Sequence, residues 1–205
     1  MTESNLHTDN SVTALINSDD VSDKTRQVLL ERMKEEKSLP LFFNTQHFNL
    51  LTTLCDILMG QKPDERICNP AQAIDKRLAE DKSDGWRYDK MPNDKLAFTY
   101  GLLAIDEFSI ILFEIPFLSL TFAQQVALVE KIQAGETQGN SWKNLPPILF
   151  FEELLAEVTA IFYSHPLVQQ EIGFVGMADV NGWQNIGLNS KDPIEPDEII
   201  LNKTS

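Results

Sequence analysis

The chain has 205 residues and a formal net charge of −14, from 17 Lys and Arg against 31 Asp and Glu. A protein that binds nucleic acid needs cations for the phosphates, and an anionic membrane surface also attracts basic proteins, so the charge argues against both kinds of partner. Hydrophobic residues make up 42% of the chain and include 12 Phe. That content argues against a disordered chain and is enough for one sizeable core.

The acidity is concentrated in the second part of the chain. Residues 1–95 carry 17 acids and 13 bases, whereas residues 96–205 carry 14 acids and 4 bases. An acidic surface that also exposes aromatic side chains suits a protein partner with a basic patch, because complementary potentials steer association. The alternative is an acidic shell that keeps the protein in solution.

The predicted elements begin with a flexible tail at residues 1–20, which are rich in Asn, Ser, Thr and Asp. From Val21 onward, apolar residues recur at three- and four-residue spacing between helix-capping residues. This spacing predicts helices over about 22–37, 45–59, 70–80, 93–111, 121–134 and 147–163, with a further short turn after Pro166.

The C-terminal residues 192–205 are acidic, contain two prolines and predict an extended strap. No segment shows the sustained alternation of a strand. The sequence therefore predicts an all-α fold, with a single compact domain of six or seven helices over residues 21–191 between the flexible tail and the strap.

Two of the predicted helices are strongly apolar. The window 96–118 is interrupted by Asp106, Glu107 and Glu114, which predicts a core helix rather than a membrane span. The helix over 147–163 is the most apolar of all and is expected to be central. The acids Glu153 and Glu157 predict its solvated face.

Charged residues elsewhere alternate in sign and predict mixed solvated surfaces rather than a phosphate-binding groove. The run Asp75-Lys76-Arg77 is the main example.

Cys55 and Cys68 are the only cysteines, and with three His they make a poor zinc set. Their separation of 13 residues would let one disulfide close a modest loop. The favoured interpretation is a reduced pair, with Cys55 buried on the same helical stripe as Leu51 and Leu58.

No phosphate-binding Gly-rich loop, dinucleotide fingerprint or Gly-x-Ser-x-Gly nucleophile elbow occurs in the sequence. His47 and His165 are the candidates for acid–base or metal chemistry, because His7 lies in the predicted tail. An enzyme that pairs His165 with Asp179 or Glu171 is one hypothesis. The favoured expectation is a protein without intrinsic activity and without a bound metal or flavin.

Residues 150–189 stand out because an apolar helix leads into Tyr163-Ser164-His165-Pro166 and then into a stretch with four closely spaced glycines. This order resembles the C-terminal signature of the gluconate 2-dehydrogenase subunit 3 family. There, a Phe-Phe helix leads to a Tyr-Ser-x-Pro-like turn, a Gly-x-x-Gly, a Gly-aromatic pair and a closing Ile-Gly.

Upstream segments follow the same family's order, so the resemblance spans about residues 45–189. These segments are His47-Phe48, Leu54 to Leu58, Ala73-Ile74-Asp75, Tyr100-Gly101-Leu102 and Leu120 to Ile132. Two features depart from the family pattern. Gly60-Gln61-Lys62-Pro63 replaces an Ile-Pro pair, and the twin-arginine leader of many members is absent.

The resemblance implies a non-catalytic small subunit that binds and stabilises a large flavoprotein dehydrogenase of the glucose-methanol-choline type. The large subunit would carry FAD and oxidise a sugar or an alcohol, and a cytochrome subunit is a further candidate partner. No cofactor is expected in this chain itself. Without a leader the expected compartment is the cytoplasm, and the alternative is the periplasm if the chain is exported with its partner. The alternative function is a stand-alone helical module that binds a ligand or another protein.

We expect residues 162–189 to form the docking surface for the partner. A rigid helix end would support it, and glycines would let the chain lie close to another backbone. The predicted partner-binding residues are Tyr163, His165, Pro166, Gly173, Gly176, Gly182 and Trp183. The alternative for Trp183 is that its indole fills the domain's own core.

Overall fold

Residues 12–19, 21–34, 39–83 and 89–172 are described by the structure, which is a computed structural model. Across these ranges the chain forms eight α-helices and three short 3-10 turns, and no strand is found in them. The prediction of an all-α, single-domain fold is confirmed. The helices are α1 (Val12–Ile16), α2 (Asp23–Arg32), α3 (Thr45–Met59), α4 (Pro70–Ala79), α5 (Asp94–Phe113), α6 (Phe122–Gln133), α7 (Pro147–Tyr163) and α8 (Pro166–Glu171).

Helix ends follow from capping chemistry that the sequence displays. Asn44 and Asn93 precede α3 and α5, and each side chain accepts a hydrogen bond from a backbone N–H of the first turn. Thr121 and Gln124 form a reciprocal capping box at the start of α6. Gly60 ends α3 in the left-handed conformation, with φ of 65°, which glycine adopts without strain.

The main core lies around α7, which packs against α3, α4, α5 and α6. The central position predicted for this helix is therefore confirmed. Gly101 of α5 is essential to the packing, because a Cβ atom there would overlap the ring of Phe150 on α7. Phe150 also contacts Phe98 edge-on and Trp142 at a tilt, with ring centroids 6.1 Å away in both cases.

The packed domain begins earlier in the chain than the sequence predicted. Val12 and Ile16 of α1 are buried, and together with Val21 and Leu29 they form a small apolar cluster apart from the main core. The backbone N–H of Val12 donates to Oε1 of Gln170 on α8 at 2.7 Å. The tail boundary predicted at residue 20 is therefore wrong for residues 12–19. Two apolar residues four apart are enough for one helical turn to dock, although they are too few to show a period.

α5 is the one helix, within the part of the chain that the structure describes, whose length and composition would allow it to cross a membrane. A core helix of a globular protein meets the same two criteria. In the most apolar stretch of α5, 44% is buried. The helix contacts α3, α7 and two of the 3-10 turns. One side of α5 thus matches the predicted core helix, and the other side faces outward.

Candidate functional site

Three of the predicted partner-binding residues lie at the corner between α7 and α8. Tyr163 ends α7 and is 47% exposed, so it is open to a partner. Pro166 opens α8 and is buried, so it fixes the corner from inside and offers a partner no contact surface. His165 lies between them and is half-buried. The other four residues, Gly173, Gly176, Gly182 and Trp183, lie outside the described ranges, as does the predicted strap 192–205, and their roles stay predictions.

The α7–α8 corner is held by hydrogen bonds to its backbone. Ser164 caps α7, and its hydroxyl donates to the carbonyl oxygen of Ile161 at 2.8 Å. The guanidinium of Arg32 on α2 donates to the carbonyl oxygen of Ser164 at 3.3 Å. The side-chain amide of Gln169 donates to the carbonyl oxygen of Tyr163 at 3.0 Å. These bonds give His165 a fixed position between α2 and α7.

A cavity of about 320 Å³ opens beside His165, between the end of α2, residues 39–41, α4 and the end of α7. Its volume lies at the lower end of the range for small-molecule sites. Leu41, Phe48 and Ile161 supply apolar wall, and Asn69 with Gln72 supplies amide groups. This cavity could not be located from the sequence, because its walls come from segments more than 100 residues apart.

Asp75 anchors one wall of this cavity from beneath. The residue is 3% exposed, and its carboxylate accepts the backbone N–H groups of Leu41, Phe42 and Phe43 at distances of 2.6 to 3.1 Å. Three N–H dipoles compensate the buried charge, which would otherwise be costly. The predicted solvated run Asp75-Lys76-Arg77 is therefore wrong at Asp75, whose charge serves to hold residues 41–43 against α4.

The rim of the cavity is basic, although the protein is strongly acidic. Arg32, Lys34 and Lys76 line it. Among the described residues no carboxylate lies within ion-pair distance of any of the three. Two acids line the cavity, Glu31 and Asp75. Because Asp75 already accepts three backbone N–H groups, Glu31 is the lining acid that remains to offset the basic charge. The cavity can thus accept an anion at its rim and an apolar group inside.

Arg77 sits behind the cavity in a partly buried ion-pair cluster. Its guanidinium binds both oxygens of Glu157 on α7, at 2.6 and 2.8 Å, and one oxygen of Asp94 on α5 at 2.5 Å. Burial alone would lower the pKa of Arg77, but the hydrogen bonds to the two carboxylates outweigh it and raise that pKa. Glu157, predicted on a solvated face, instead ties α7 to α4 and α5.

The two cysteines are buried and free, as the favoured interpretation of the sequence held. Burial raises the pKa of Cys55 far above its usual range, and burial raises the pKa of Cys68 to about 11. Neither thiol is ionised near neutral pH, so neither is an activated nucleophile.

The remaining side chains of the described ranges form no group of three or more His, Cys, Asp or Glu that could hold a metal ion. The enzymatic hypothesis for His165 required Asp179 or Glu171. Asp179 lies outside the described residues. Glu171 is exposed at the far end of α8, about 1.7 helical turns along the chain from His165. The described geometry does not bring this pair together as an acid–base couple.

The outward side of α5 is a surface that the sequence analysis did not predict. Five of its large apolar side chains are between 36% and 50% exposed, and at about 100° per residue their positions fall within one side of the helix. They are Leu96, Tyr100, Leu103, Ile110 and Ile111, and together they are the α5 face. The spacing was visible in the sequence, but an exposed apolar stripe and a buried one look the same there.

Comparisons with known proteins point to one family. A model of the family described as "Gluconate 2-dehydrogenase subunit 3" matches residues 45–187, well over half of the chain. Searches with this chain found no matching curated protein and no matching solved structure. The matched span begins with α3, includes α4 to α8 and confirms the resemblance seen in the sequence. This chain belongs to the gluconate 2-dehydrogenase subunit 3 family.

Proposed function

We propose that the chain is a non-catalytic subunit that binds and stabilises a large FAD-dependent dehydrogenase of the glucose-methanol-choline type. The family's description denotes one subunit of a dehydrogenase complex, which makes a partner subunit the natural expectation. In this proposal the partner carries the flavin and oxidises a sugar or an alcohol. A cytochrome subunit is a candidate for the next electron acceptor.

The observation that carries the proposal is that the shielded carboxylates of this chain bind other parts of the same chain. Asp56 holds Arg66 through two hydrogen bonds, Asp75 holds three backbone N–H groups, and Glu157 holds Arg77. These three shielded carboxylates of the described ranges are thus engaged in joining elements of the fold. A chain built this way is suited to presenting a rigid surface.

Co-expression tests the proposal. The chain is produced with and without the FAD-dependent dehydrogenase encoded nearest to its gene, and the products are separated by size-exclusion chromatography. We expect the two proteins to elute together, with more flavin absorbance per dehydrogenase than when the dehydrogenase is made alone. A dehydrogenase that is fully flavin-loaded without the chain and never elutes with it would refute the proposal. Assaying cytoplasmic and periplasmic fractions separately tests the compartment.

The cavity beside His165 favours a second candidate function, a ligand-binding module. Its apolar wall and basic rim suit an organic carboxylate with an aliphatic or aromatic body, since Lys and Arg form strong charge-assisted hydrogen bonds with carboxylates. Calorimetric titration of the isolated chain with octanoate and with benzoate tests this function. Binding that is lost in Lys76→Ala would support it, and the absence of heat with both compounds would count against it.

A further inference from the structure

Exposed apolar side chains of this protein are concentrated around α5. Fifteen large apolar residues of the described ranges are exposed, and eight of them lie between residues 96 and 122. The α5 face supplies five, over about 22 Å of helix. The segment that follows supplies Ile115, Leu118 and Phe122. A concentration of exposed apolar side chains of this kind is typical of an interaction site, whereas scattered single residues are not.

The one charge within the α5 face points back into the protein. Glu107 lies on the same side of the helix, but its carboxylate accepts the backbone N–H groups of Asn140 and Ser141 at 2.9 and 2.8 Å. A Cβ atom at Gly139 would lie 2.9 Å from this carboxylate, so the loop closes tightly over it. The exposed side chains on this side of α5 are therefore apolar both before and after the loop contact at Glu107.

Acidic residues outnumber basic ones around the face, although Lys95 directly precedes its first residue and Lys143 lies close to Glu107. From residue 96 to residue 130 the sequence contains no Lys or Arg, but it contains Asp106, Glu107, Glu114 and Glu130. A second copy of the chain would bring like charges together, and an anionic membrane would repel the same acids. A protein surface with an apolar centre and a rim of Lys and Arg matches both the apolar face and its surroundings.

We infer that the α5 face is the docking surface for the large dehydrogenase subunit, which meets it with an apolar groove bordered by Lys and Arg. This inference rests on the proposed function and adds the place of contact. Tyr100 and Leu103 lie near the middle of the face, where residues that dominate binding are usually found.

The double variant Leu103→Asp with Ile110→Asp tests the inference in the co-expressed complex. Both side chains are about half exposed, so the isolated chain should keep its helicity and melting temperature. We expect its affinity for the dehydrogenase to fall about 30-fold or more. The matched control is Leu30→Asp on α2, which is 46% exposed and should change affinity less than about threefold.

A photo-crosslinking residue at position 103 gives an independent readout if the double variant fails to fold. It should crosslink to the dehydrogenase, whereas the same residue at position 30 should not. The inference is overturned, and the proposed function stands, if the complex forms, the double variant binds as tightly as wild type and position 103 does not crosslink. Loss of binding in Tyr163→Asp alone would then move the docking surface to the α7–α8 corner.

Other occupants of the face also give distinct results. A wild-type chain that never binds the dehydrogenase overturns both the proposed function and this inference. A dimer that becomes monomeric in the double variant, without dehydrogenase binding, would identify a second copy as the occupant. Flotation with neutral phosphatidylcholine vesicles that the double variant abolishes, again without dehydrogenase binding, would identify a membrane.

Discussion

α5 and α7 are both strongly apolar, yet they occupy different environments. The exposed large apolar residues of α7 are confined to its two ends, at Ile148 and Tyr163. α5 exposes five along its length. The difference follows from topology, because α3, α4, α5 and α6 all pack against α7, whereas α5 makes its main helix contacts with α3 and α7 and leaves the α5 face exposed. An apolar helix thus shows that a surface is to be buried, but the fold decides whether this chain or another covers it.

The largest expected effect contrasts the centre of α7 with the outside of α5. Phe150→Ala removes a fully buried ring that contacts Phe98 and Trp142, and should lower the free energy of unfolding by about 3–5 kcal/mol. Leu103→Ala on the α5 face should cost less than about 1 kcal/mol. Urea denaturation of both variants measures the two values. Equal losses would show that the α5 face belongs to the core.

The contact between the two helices offers a second test. Gly101→Val adds a side chain where the Phe150 ring already lies, and overpacking of this kind should cost about 2–3 kcal/mol. Leu103→Val places the same side chain on the other side of α5 and should cost less than about 1 kcal/mol. Thermal melts of the two variants distinguish them. A fully stable Gly101→Val protein would mean that the two helices can separate without loss.

Removing the ion-pair cluster should have a smaller effect. Arg77→Met leaves Glu157 and Asp94 without their cation, and because the cluster is partly solvated we expect a loss of about 2 kcal/mol. The control is Lys62→Met, which breaks the exposed pair between Lys62 and Glu65 and should cost less than about 0.5 kcal/mol. Both are measured by urea denaturation at pH 7. Similar small losses would show that α7 does not depend on this connection to α4 and α5.

The smallest effect concerns Glu107 and depends on pH. Hydrogen bonds from the Ser141 hydroxyl and from the backbone N–H groups of Asn140 and Ser141 lower the pKa of Glu107 in the folded protein. A lowered folded pKa stabilises the fold above the unfolded pKa of about 4.3, and the stabilisation is lost as the pH falls through the folded pKa.

Wild type should therefore be more stable than Glu107→Gln at pH 7, and the gap should narrow below about pH 4. Denaturation curves for both proteins at pH 7 and pH 3 measure the gap. A gap that stays constant would show that the hydrogen bonds to the loop do not depend on the carboxylate charge.

Local signals predicted most of the helices and the centre of the fold. The sequence predicted helices that begin near residues 45, 93 and 121, and in the structure Asn44, Asn93 and Thr121 cap these helices. The apolar content of residues 147–163 identified the central helix, because apolar side chains on so much of a helix need neighbours on several sides. Each of these signals depends on residues that lie close together in the sequence.

Long-range partners could not be predicted from the sequence. Glu157 meets Arg77 across 80 residues, and Asp75 meets the backbone of residues 41–43 more than 30 residues away. Nothing near these residues in the chain distinguishes them from solvated charges. The same reason explains the candidate site. The sequence indicated Tyr163 and His165, but the cavity beside His165 and the open side of α5 depend on how distant elements pack.

The hydrogen bond between Val12 and Gln170 has a practical consequence for protein engineering. It joins points 158 residues apart in the chain, so the first and last described helices lie side by side. A deletion of residues 12–19 would therefore remove a contact of α8 as well as the small apolar cluster that α1 forms with α2.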